Sequence, residues 1–184
     1  MSRKGSAYVS GSHPLRLYLA ESLHETLATK LGRRFDQDVE FYVTDLLLRF
    51  LHSDNIYTIR DPEGEPLDSV AAMLVEADVR LNANSFDRER EVHRHIGDFV
   101  LFWAGLFPEY LGTDDHQARL LDHMRQAKFS YYVVSTFDHG DYAHEVPTFR
   151  KLSENFETYA TGLRLLRSSF RGFGGDVWRR DRAA

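Results

Sequence analysis

The densest chemistry in the chain lies in residues 85–103, SFDREREVHRHIGDFVLFW, where Glu89, Glu91, His93 and His95 run into an aromatic block. Imidazole and carboxylate hold iron, zinc or manganese, and imidazole also moves protons near neutral pH. The chain has no cysteine, so thiolate ligands, cysteine nucleophiles and disulfides are excluded. A helix advances about 100° per residue, which sets His93 and His95 about 160° apart and prevents them from sharing one metal ion. The pairs that do share a face are Glu89 with His93 and Glu91 with His95. Glu89 and His93 fall on the core-facing side, where an unpaired carboxylate is costly, and are the best placed for a deliberate polar site. Glu91 and His95 read as a boundary histidine held by a glutamate.

A metal at His93 needs ligands from a second helix. His116 and His123, seven apart and so on one line of a later helix, are the candidates, and the loop at 138–145 adds Asp138, His139, Asp141, His144 and Glu145. The expected ion is then a divalent iron, zinc or manganese; no other cofactor is predicted and no catalytic residue is assigned. Glu21 and His24 have the Glu-x-x-His spacing of carboxylate-bridged di-iron bundles, but the wheel turns His24 to solvent. Asp45 and Arg49, four apart, fit a helical ion pair with Tyr42 beside them.

Arg88 and His93 are separated by four residues, as are Arg90 and His95. This spacing resembles the Arg-x4-6-His signature of the small all-α ribonucleases of the HEPN class. The resemblance covers six residues and implies RNA cleavage at the interface of two paired chains. It departs from that pattern just after each arginine, where Glu89 or Glu91 stands and would repel RNA phosphate.

Six stretches carry helical periodicity: 14–31, 38–52, 67–80, 86–107, 114–136 and 147–171. Pro14 suits a first helical position, Ser85 an N-cap, and Thr113 or Asp114 another. Between them, residues 53–66 are rich in turn formers and could hold a short hairpin around Asp61-Pro62-Glu63-Gly64. The expected fold is an all-α, single-domain bundle of about six helices over 14–171. It is flanked by a flexible arm at 1–13 and a flexible tail at 172–184 in which Trp178 could dock.

With 42% hydrophobic and 28% charged residues among 184, the chain has the composition of one globular domain. Its longest apolar stretch, FVLFWAGLF, is far short of the roughly 20 residues that cross a bilayer. The amino terminus lacks a signal peptide's apolar segment. A cytoplasmic protein without membrane contact is expected. The net charge of −5 divides as +4 over residues 1–34, −12 over 35–116 and +3 over 117–184. That distribution argues against a nucleic-acid partner, whose footprint is a broad basic face, and for ends that lie against the middle or for contact between copies. The second helix has one apolar face in Val39, Val43, Leu46, Leu47 and Phe50 and a second in Phe41, Leu48 and Leu51. Apolar on most sides, it is central or covered by another subunit. Phe41, Leu48 and Leu51 are therefore interface candidates. The functional expectation is an interaction or regulatory module that self-associates or binds a protein partner. The alternative is a metal-dependent enzyme of the helical-bundle kind.

Overall fold

A computed structural model describes residues 13–32, 36–78, 81, 83, 85–111 and 116–170. Over these the chain is all-α, with eight helices and no β-strand among the described residues. Thr113, Asp114 and Trp178 lie outside the described residues.

α1 (Pro14–Lys30) begins at Pro14, which has no N–H to leave unsatisfied, and the Nδ1 of His13 accepts from the Leu15 amide at 3.2 Å. Leu19, Leu23 and Leu27, one helical turn apart, are buried. α2 (Gln37–Arg49) is capped by Asp36, whose carboxylate accepts from the Asp38 amide and also pairs with Lys151. After the single turn of α3 (Ser53–Ile56), Gly64 with φ of 92° closes a tight turn over Asp61. The hairpin expected there reduces to one bridge, Arg60 to Pro66, while Ile56 and Ile59 anchor the loop in the core. α4 (Val70–Ala77) starts on a Ser69 cap and is shorter at both ends than its periodicity suggested.

α5 (Phe86–Leu106) is capped by Ser85, which accepts from the Arg88 amide at 3.1 Å, and runs unbroken through Ile96. It is the axis of the bundle: α2, α4, α6 (His116–Val134) and α8 (Phe156–Ser169) all pack on it. From Val92 to Leu106 every residue except Arg94 is buried. Two glycines permit this closeness. A Cβ on Gly97 would sit 2.4 Å from the Tyr131 ring of α6, and one on Gly105 would sit 2.6 Å from the Cβ of Leu163 of α8. Pro108 ends α5 and opens a short 3-10 turn.

The last expected helix is two. α7 (Val146–Glu154) stops at Asn155, and α8 restarts at Phe156. The Asn155 side-chain amide donates to the Lys151 carbonyl at 3.2 Å alongside the backbone amide at 3.0 Å. This is the local competition that makes asparagine a helix interrupter.

α2 is not the centre of the bundle. Leu48, offered as an interface residue, is 3% exposed and belongs to the core, because α2 packs on α1, α5 and α7 at once. Phe41 and Leu51 are exposed, at 65% and 41%. None of the helices among the described residues is long and apolar enough to cross a membrane.

Candidate functional site

The centre of α5 carries a carboxylate in the core. Asp98 is 1% exposed and all of its partners are drawn from other helices. Its Oδ1 accepts from the Tyr42 hydroxyl of α2 at 2.6 Å and the Tyr131 hydroxyl of α6 at 2.9 Å; its Oδ2 accepts from Nη2 of Arg49 at 2.9 Å. Arg49 also faces Asp45 at 3.3 Å, and Asp45 in turn accepts from Arg16 of α1 at 2.7 Å. Arg94 donates from Nε to the Tyr42 hydroxyl at 3.1 Å. A single polar cluster thus ties α1, α2, α5 and α6 together.

Burial opposes charge on Asp98, but the positive charges of Arg49 and Arg94 and the hydrogen bonds outweigh it, so the carboxyl stays below its ordinary range and ionised. Burial and the Asp98 charge hold the Tyr42 and Tyr131 hydroxyls well above theirs, so both keep their protons and donate. Arg94, held by its hydrogen bond to Tyr42 and by the charge of Asp98, stays protonated against desolvation. The cluster opens into a cleft of about 710 Å³ between α2, α5 and the start of α7, whose walls include Phe41, Tyr42, Arg94, His144, Thr148 and Phe149.

Of the residues singled out from sequence, Asp45 and Arg49 form their ion pair and belong to this cluster. Glu89 and His93 do not pair. His93 is buried and shares a 3.1 Å hydrogen bond with Ser130 of α6, with the Phe129 ring edge-on at 6.1 Å. Glu89 stays half-buried, its carboxyl raised by desolvation and by Asp78. Nor do Glu91 and His95 pair. Glu91 accepts from Arg88, whereas His95 is buried with its Nε2 3.0 Å from the Ile56 carbonyl and its Nδ1 3.3 Å from Thr58. The sequence puts His95 at a boundary because its helical wheel shows one packed side; the 53–59 loop covers the other flank.

His123 is spent on its own helix, with Nδ1 2.9 Å from the Arg119 carbonyl. His116 begins α6, and its side chain lies outside the description. Among the described residues no three histidines or carboxylates gather in a way that could hold a metal ion. His24 pairs with Glu40 of α2 at 3.0 Å and not with Glu21. In neither Arg-His spacing does the arginine bond its histidine. Arg88 binds Glu76, Glu91 and the Arg60 carbonyl, and Arg90 pairs with Glu145 beneath the Tyr142 ring, 3.9 Å from its centroid.

Asp98, Arg94, Tyr131 and Arg16 escaped the sequence reading. One signal was present: Asp98 follows Arg94 by four residues and is the lone charge at the head of the longest apolar stretch.

A second surface lies where α1, α2, α5 and α8 converge. It is an apolar groove of about 90 Å³, lined by residues including Leu15, Tyr18, Leu51, Phe102, Leu166 and Phe170. Tyr18, 54% exposed, stands on its rim.

No family model, no curated protein and no solved structure shows significant similarity to the chain.

Proposed function

We propose that this chain is a helical interaction module that self-associates through the groove between α1, α2, α5 and α8. The observation that carries the reading is the side-by-side placement of a projecting Tyr18 and an almost wholly carbon-lined hollow bordered by Leu51. A knob beside a hole on one patch is what a two-fold contact requires, since each copy then fills the other. Contiguous apolar surface of this kind marks interaction sites. Leu51 carries the interface candidacy from α2, and Leu17, also exposed, extends the apolar surface along α1.

Sedimentation of the full chain at micromolar concentration tests this. The expected species is a dimer, moved toward monomer by Tyr18→Asp or Leu51→Asp. Both positions are already wet, so the monomeric variants should stay folded by circular dichroism. A wild type that remains monomeric at high concentration would overturn the reading.

A further inference from the structure

Arg94 lines the cleft with its guanidinium held in place. Its guanidinium lies over the rings of Tyr42 and Phe149, with centroids at 5.4 and 5.8 Å, and its Nε is tied to the Tyr42 hydroxyl. That hydroxyl is itself fixed by its 2.6 Å bond to Asp98. Among the described residues, no protein acceptor takes a hydrogen bond from either Nη of Arg94. The neighbouring carboxylates are already engaged: Asp45 by Arg16 and Arg49, Asp98 by Arg49 and two tyrosines, Glu145 by Arg90. Asp45, Asp98 and Glu145 are thus each held by an arginine other than Arg94.

We propose that the Arg94 cleft is a binding site for a small-molecule carboxylate with an apolar, preferably aromatic, body. The Nη1–Nη2 edge of a guanidinium presents two parallel N–H groups at the spacing of carboxylate oxygens, and a held arginine loses little freedom in using them. A monoanion suits the cleft better than a phosphate, because Asp38 stands on its wall and repels a second negative charge. Phe41, 65% exposed on the cleft wall, receives the carbon body, and the cleft has the size of an ordinary small-ligand site.

Hydrocinnamate is the probe, with hydrocinnamamide as its uncharged equivalent, inorganic phosphate as the rival anion and a short peptide ending in phenylalanine as the other source of a carboxylate. Titration is followed on the Arg94 Nε–H NMR resonance of the full chain. Hydrocinnamate should shift that resonance and saturate. The amide should bind weaker by about tenfold or more, the worth of a charge-assisted pair. Phosphate and the peptide should bind more weakly than hydrocinnamate. Arg94→Ala should abolish binding with circular dichroism unchanged, and Arg94→Lys should restore only part of it. Should Arg94→Ala fail to fold, Thr148→Trp fills the cleft from α7 without touching the cluster and should abolish binding equally. No shift at tens of millimolar hydrocinnamate, equal binding of the amide, tighter binding of phosphate or peptide, or full binding by Arg94→Ala or Thr148→Trp would overturn the proposal.

Discussion

Taking the His93 ring out of water penalises its protonated form, and the pKa falls to about 4 because no carboxylate beside it compensates. In the unfolded chain the same ring titrates near ~6.5. Between those values the unfolded state binds a proton that the folded state refuses. The contribution is therefore complete above about pH 6.5 and is lost as the pH falls toward 4, to a total of roughly 3 kcal/mol. Burial shifts His95 in the same direction. Urea unfolding at neutral pH and near pH 4.5 should show this decline, and His93→Asn, which can still bond Ser130, should flatten it. An unchanged slope in that variant would place the proton elsewhere. The sequence indicated that His93 and His95 look in different directions, because that follows from helical rise alone. It did not reveal what each meets, since Ser130 and Ile56 arrive from segments whose approach no local pattern encodes.

At the scale of the element, α5 was legible in its limits and not in its surroundings. Ser85 and Pro108 mark its ends in the sequence, and the stripe from Val92 to Phe107 marks one face. The opposite face holds Asp98, Gly97 and His95, and reads as wet until α2 and the 53–59 loop are laid over it. The glycines state the packing most directly. In an open helix Gly→Ala gains up to about 1 kcal/mol. At Gly97 the new methyl would strike a buried tyrosine ring that is also bonded to Asp98, and overpacking of this kind costs about 1–3 kcal/mol. Gly97→Ala should accordingly lower the thermal midpoint. Gly162→Ala, which meets chiefly the end of the Leu27 side chain at 2.2 Å, should leave the midpoint much closer to wild type. Equal losses at the two positions would show that ring contact is not what limits α5.

Across the whole molecule, the alternation of charge along the chain becomes a set of ties between its ends and its middle. Arg16 reaches Asp45, Lys151 reaches Asp36, and Arg167 takes Glu109 with two nitrogens at 3.0 and 3.2 Å. The all-α class and the turn-rich connection were legible because they rest on local periodicity and turn formers. The cleft and the groove were not, because each is assembled from helices distant in sequence. Both surfaces use α2, Tyr42 in the cleft and Leu47 in the groove, roughly 8 Å apart along its axis. Effects at that separation without shared partners add to within about 0.5 kcal/mol. Arg94→Ala should thus leave the dimer constant unchanged, and Leu51→Asp should leave the hydrocinnamate affinity unchanged. Titration and sedimentation of both variants and the double variant measure any coupling, and a large departure from additivity would make α2 a transmitter.

The interruption at Asn155 bears on how such a molecule can change over generations. Thr148 and Phe149 stand on one side of that joint and Leu166 and Phe170 on the other. In a continuous rod, a substitution that tilted one end would drag the opposite end with it. A jointed pair of short rods lets each end drift on its own schedule, so the cleft wall and the groove wall can diversify separately within one small scaffold.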